Sequence, residues 1–116
     1  MSDAETTVAM LKSAMAQFIR ERDWEQFHDP KNLSTSIAIE AAELMEHFQW
    51  LRSDELDQVR RDPTQMELIG EELAEITAFV LSFANAMQID LSDALLRKMQ
   101  KNALKYPAER YRGRFR

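Results

Sequence analysis

A chain of 116 residues is long enough to bury a core of its own, and with only two glycines, three prolines and few β-branched runs it reads as one all-α domain over residues 1–116. The lack of cysteine excludes disulfides and thiolate metal sites. No apolar run approaches the ~20 residues of a membrane span and the opening MSDAETT has no signal-peptide pattern, so a soluble, cytoplasmic protein is expected.

The net charge of −5 is unevenly spread: residues 1–96 carry 7 basic and 19 acidic side chains, residues 97–116 carry 8 and 1. A basic end of this kind suits a wall completing an acidic site or an oligomer contact. A nucleic-acid tail is disfavoured, because neither an aromatic platform nor a recognition helix accompanies it.

In chain order, Ser2 and Glu5 have the spacing of a capping box, and Val8, Leu11, Met15, Phe18 and Ile19 trace an amphipathic first helix to about Arg22. This helix is expected to cover a pair of longer ones. Asp23 to Pro30 lacks helical periodicity and ends in a turn signal. Its Trp24 and His28 read either as a core plug or as a ligand wall, since tryptophan offers a flat face and a single N–H donor.

Asn32 or Ser34 can cap a second helix running to about Trp50 or Leu51. Its core stripe is Leu33, Ile37, Ala41, Leu44, Phe48 and Leu51; beside it Ser36, Glu40, Glu43, His47 and Trp50 form one narrow strip. Ser53-Asp54-Glu55 starts a short polar turn of helix, and Asp62-Pro63 opens a third helix with a capping aspartate and proline at its first position. That helix continues to about Gln88 with apolar residues at Met66, Ile69, Leu73, Ile76, Val80, Phe83 and Met87, a heptad-like spacing. Gly70 inside it suggests close backbone approach. Asp90 caps a fourth helix that Tyr106-Pro107 ends; its apolar side is Leu91, Ala94, Leu95 and Met99, and Lys98 and Asn102 fall on that same side with Tyr106 a turn further on.

The carboxylates carry the chemistry. Glu40 and Glu43 border the core stripe of the second helix, and Glu72 and Glu75 repeat the spacing on the third. Charges beside a core are costly unless something compensates them, and two such helices packed antiparallel bring four like charges together, which requires a cation. An all-oxygen set suits a hard ion, Mg²⁺ or Mn²⁺. A ferritin-like di-iron bundle needs two Glu-x-x-His motifs. Neither exists here: His47 follows Glu43 by four residues, and is read as a packing residue or one that supports the ligands from behind. Lys98, Asn102 and Tyr106, at i, i+4 and i+8, either neutralise the glutamates or hold a phosphorylated ligand over the metal.

ERDWEQFHDPKNL, ELMEHFQW, EELAEI and LRKMQKNALKYP together resemble the MazG-like all-α nucleotide pyrophosphohydrolases, within them the dCTP pyrophosphatase branch, over about Arg22 to Pro107. The family pattern E-x-x-E, spacer, E-x-x-D reads here Glu40-Ala-Ala-Glu43 and Glu72-Leu-Ala-Glu75. The resemblance implies a four-helix bundle assembled as a dimer or tetramer, Mg²⁺ held by Glu40, Glu43, Glu72 and Glu75, triphosphate or sugar bound by Lys98, Asn102 and Tyr106, and a base pocket of Trp24, His28 and Trp50. Glu75 stands where the pattern has Asp, and Phe79 where close relatives carry Tyr, a change that bears on sugar or base preference. The implied activity is hydrolysis of (deoxy)nucleoside triphosphates, dCTP-like or non-canonical, to monophosphate and pyrophosphate, a house-cleaning of the nucleotide pool, with Glu43 as candidate general base. The alternative from a different class is a non-catalytic helical interaction module, its best support being the heptad-like third helix.

Overall fold

The computed structural model describes residues 1–116, all helix, turn and loop without a strand. Six helices follow in order: α1 (Val8–Glu21), α2 (Pro30–Glu46), α3 (Leu56–Arg60), α4 (Pro63–Met87), α5 (Leu91–Lys105) and α6 (Ala108–Tyr111). Short 3-10 turns at Glu25–Phe27 and Ser53–Glu55 precede α2 and α3.

Local chemistry sets most of the boundaries. Asp62 Oδ1 accepts from Thr64 N and Gln65 N, and Pro63 takes the first helical position, where its missing N–H costs nothing. Asp90 accepts from Asp93 N at 2.9 Å and caps α5. At the far end of α4, Gln88 adopts the left-handed conformation (φ 55°) that closes a helix by returning its N–H to earlier carbonyls.

Three expected boundaries differ. α1 is capped by Thr7, whose hydroxyl accepts from Met10 N, because Ser2 to Glu5 forms only an isolated turn. α2 is capped by Asp29 with Pro30 at its first turn, ahead of Asn32 and Ser34. It ends at Glu46, where His47 N and Phe48 N bond to carbonyls three residues back and tighten the chain into a turn. Trp50 is therefore off the helix and 86% exposed, not two turns along the carboxylate strip.

α2 and α4 make the most extensive packing and α1 lies on α4. Leu33, 2% exposed, plugs the first of these seams, and Ile19, Leu81 and Ala84 complete the fully buried apolar set. A side chain of that kind is worth about 1.5–3 kcal/mol of burial. The heptad-like stripe of α4 is only partly covered: Met66, Leu73 and Met87 remain 43–55% exposed. The reason is the fourth long helix. α5 packs only sparsely on the others and buries no residue fully, so Leu95, Met99 and Leu104 face outward. The radius of gyration is 17.3 Å, against roughly 13 Å for a compact chain of this length. Nothing lies within 4 Å of a Cβ built on Gly70, so the close approach expected there is not made inside one chain.

Because Asp62 alone satisfies two orphan N–H groups of the longest helix, Asp62→Ala is expected to cost about 1 kcal/mol, a fall of roughly 4 °C in Tm, while Asp62→Asn retains most of the stability. Calorimetric melting of both variants checks this.

Candidate metal centre

Glu40 and Glu43 are one turn apart on α2, and Glu72 lies on α4 directly across the seam. One carboxylate oxygen from each comes within 4.8 Å of the other two. All three side chains are half-buried, and Glu40 Oε2 and Glu72 Oε2 are fully shielded without a hydrogen-bond partner. The helix packing causes this. Each glutamate sits at the edge of its helix's apolar stripe, so burial of the stripes draws the carboxylates in with them. Glu71 and Glu75 are exposed and line the same open depression of about 480 Å³.

The electrostatic consequence falls on Glu40. Its carboxyl is pushed up from 4.5 to about 7, first by burial and then by the close, negatively charged carboxylates of Glu72 and Glu43, which favour its protonated form. Two shielded, unpartnered oxygens in a set of donors that are all carboxylate fit a hard divalent cation. Such an ion needs oxygen ligands and tolerates water in its remaining positions.

Of the four glutamates expected as ligands, Glu40, Glu43 and Glu72 are brought together, and Glu75 stands at the rim outside the cluster. Lys98 and Tyr106 are exposed and Asn102 half-buried on the projecting α5; none lines the acidic depression, and Lys98 pairs with no glutamate of its own chain. Tyr106 instead packs edge-on against Tyr111 at 5.2 Å.

The aromatic group is divided. Trp24, 42% exposed and so not a core plug, stacks on His28 at 6.4 Å and meets Phe18 edge-on at 5.9 Å. His28 borders a pocket at the start of α2. Trp50 and His47 border a separate depression of about 400 Å³ at its other end, with Glu55, Gln58 and Asp62. The 17 residues of α2 put roughly 25 Å between those ends, so Trp24 and His28 do not share one pocket with Trp50 inside a single chain. Phe79 is half-buried on α4, four residues beyond Glu75. Sequence reasoning gave no role to Glu71, Ser82 or Asn85. The available signal for Ser82 was a lone hydroxyl inside the apolar run Phe79-Val80-Leu81-Ser82-Phe83-Ala84.

The MazG-like family model matches residues 35–114, a span that contains every glutamate of the acidic depression and α5 but begins after Trp24 and His28. The chain is 36% identical over 110 residues to dCTP pyrophosphatase 1 of Bos taurus, covering 95% of this chain and 65% of that protein. Against the Homo sapiens protein of the same name it is 36% identical over 104 residues, covering 90% and 61%. It thus spans less than two thirds of the length of these relatives. Among solved structures, a pyrophosphatase from Archaeoglobus fulgidus is similar with a TM-score of 0.74 and 38% identity, over 82% of this chain and 87% of that one.

The raised Glu40 carboxyl has a definite sign. Between about pH 4.5 and 7 the folded protein holds a proton that the unfolded chain has released. Its contribution to stability is therefore complete below that window and gone above it. Without metal, the wild type is expected to lose Tm relative to Glu40→Gln as pH rises from about 4.5 to about 7, with the variant more stable at neutral pH. Scanning calorimetry in chelator across that range measures it; parallel profiles for the two proteins would move the perturbed carboxyl elsewhere.

Proposed function

The chain belongs to the MazG-like family, and on that premise we propose that it hydrolyses nucleoside triphosphates, dCTP-like or non-canonical deoxynucleotides among them, to the monophosphate and pyrophosphate. The observation that carries the reading is the convergence of Glu40, Glu43 and Glu72 with two shielded, unpartnered oxygens. The similarity to proteins named dCTP pyrophosphatase and to a pyrophosphatase structure supports it.

In this reading Glu40, Glu43 and Glu72 hold Mg²⁺, or Mn²⁺ in its place, with Glu75 joining from the rim. The ion supplies charge neutralisation for the phosphates and activation of water. The chain's own groups do the rest. Glu43 is the candidate general base, being the ligand for which no shielded, unpartnered oxygen is found and hence the best placed to face an entering water. Lys98, Asn102 and Tyr106 bind the triphosphate or sugar, and Trp24, His28, Trp50 and Phe79 surround the nucleoside.

A second copy of the chain is part of this proposal. Lys98 and Tyr106 stand exposed on a helix that packs sparsely on its own bundle, and Trp50 lies at the opposite end of α2 from His28. A homodimer or homotetramer brings these groups to one site by docking the outward apolar residues of α5 and α4, which also explains the basic end as a partner for the acidic depression. The apolar faces alone are equally what a non-catalytic interaction module requires. The module reading gives no account of the carboxylate cluster.

The deciding experiment is a panel of nucleoside triphosphates assayed for pyrophosphate release with Mg²⁺, Mn²⁺ or chelator. Activity is expected with either metal and none with chelator. Glu72→Gln is expected to lower kcat/KM by more than about a hundredfold while the fold is kept. Near-wild-type turnover in that variant at saturating Mg²⁺ would remove Glu72 from the site. Trp50→Ala is expected to raise KM about ten- to a hundredfold, from the ~1–3 kcal/mol of lost stacking on the base, with a smaller change in kcat. Sedimentation equilibrium should find an oligomer at micromolar concentration; a fully active monomer contradicts the shared site.

A further inference from the structure

Beyond the middle of α5 the chain carries a cluster that the acidic site does not absorb. From Lys101 to Arg116 there are six cations, Lys101, Lys105, Arg110, Arg112, Arg114 and Arg116, against the single acidic side chain of Glu109. All six are exposed and none pairs with a carboxylate. α5 and α6 pack sparsely on the bundle, so no acidic face of the same chain answers them. Like charges this dense on a short arm repel one another, and a bound polyanion relieves the repulsion.

Aromatic rings alternate with these charges. Lys105 Nζ lies 5.4 Å from the centre of the Tyr106 ring, the Arg114 guanidinium 5.6 Å from that of Tyr111, and the Arg116 guanidinium 5.4 Å from that of Phe115. The backbone arranges the later pairs. Gly113 takes the left-handed conformation (φ 76°), which a residue without a Cβ adopts freely, and Arg114 N donates back to Tyr111 O at 2.9 Å. That turn sets Arg114 over the Tyr111 ring and leaves Phe115 84% exposed. Tyr106 holds the half-buried Tyr111 edge-on at 5.2 Å. The rings fall on both sides of a helix end and a turn, so helical periodicity does not gather them into one platform.

Cations beside open rings have a defined complement, a phosphate chain whose bases are free to stack. Guanidinium forks bond phosphate oxygens bidentately, and an aromatic face accepts any base, so binding of this kind ignores sequence. A duplex hides its base faces and engages the charges alone. A lipid surface also offers phosphates, but a helix that lies on it needs a continuous apolar face; past Met99 the large apolar side chains left exposed, Tyr106 aside, are Leu104 and Phe115. We propose that residues 101–116 bind single-stranded nucleic acid without sequence preference, the six cations following the phosphates and Tyr111 and Phe115 stacking on bases. Lys98, Asn102 and Tyr106 stay with the nucleotide site, and the proposal stands independently of the hydrolase reading.

The test uses the full chain in chelator, with a fluorescent oligothymidylate of about 20 nucleotides, a duplex of the same length, and vesicles of phosphatidylserine and phosphatidylcholine. Anisotropy is expected to show micromolar binding of the single strand at low salt, weakening on the order of a hundredfold between about 50 and 200 mM salt, as about five neutralised phosphates require. The duplex binds more weakly. Phe115→Ala is expected to weaken single-strand binding about tenfold with the salt slope kept. Arg112→Ala, Arg114→Ala and Arg116→Ala together flatten that slope by about 2, whereas the three Lys replacements keep it; Tm is unchanged in all of them, because the arm is exposed. No binding at low salt, a duplex bound as tightly as the single strand, or vesicles that retain the protein when the oligonucleotide does not, overturns the proposal. So does a triple Ala variant that binds the single strand as the wild type does; if that variant also sediments as a smaller species, the arm belongs to the acidic depression of a second copy.

Discussion

Like charges held together at the seam of two packed helices are the constraint on which the rest of this protein turns. Glu40 and Glu43 on α2 face Glu72 on α4 with oxygens inside 4.8 Å, an arrangement no isolated pair of charged helices would adopt. The apolar seam beside them holds it in place, with Leu33 almost wholly enclosed and the half-buried Ile37, Leu44 and Phe48 along the same stripe. Hydrophobic burial is non-directional and scales with area, so it closes the helices regardless of the charges carried at their edges. The protein relieves part of the repulsion by keeping a proton on Glu40. A divalent cation would relieve it more fully and would displace that proton, so metal affinity and pH are linked.

The second feature is how little a single chain encloses. Only Ile19, Leu33, Leu81, Ala84 and Ser82 are fully buried among 116 residues, and the long axis of the molecule reaches 47 Å. α5 carries an apolar side and a basic side and gives neither to its own bundle. An α4 with open space around Gly70, beside a groove of about 540 Å³ lined by Leu11, Met15, Leu73, Ala74 and Ala78, has the same character. The charge asymmetry of the chain has the same character: the acidic depression and the basic projecting helix are opposite in charge and lie apart on one chain, which is what the proposed assembly would use.

Much of the fold was legible in the residues. Asp62-Pro63 and Asp90 are local devices whose hydrogen bonds reach only two or three residues along the chain, so the starts of α4 and α5 followed from spacing alone. The paired glutamates were legible for the same reason: one turn of helix sets Glu40 beside Glu43, and the stripe beside them dictates which way they face. Less legible was the end of α2. The apolar period runs on through Phe48 and Leu51, yet the backbone tightens after Glu46, and periodicity does not register a change of hydrogen-bond pattern that leaves the apolar residues still pointing inward.

Sequence by itself determined the helical class, the two strongest caps and the two carboxylate pairs, because each depends on contacts within a turn or two of helix. Tertiary structure alone decided which carboxylates meet, leaving Glu75 at the rim, since that depends on the rotation and depth of α2 against α4. It also decided that Trp50 and His28 lie at opposite ends of α2, that α5 stands clear of the bundle, and that Ser82 has an unpartnered hydroxyl at a pocket. Those outcomes are set by the distances between elements far apart in the chain, and the amphipathic period that reveals each helix carries no information about them.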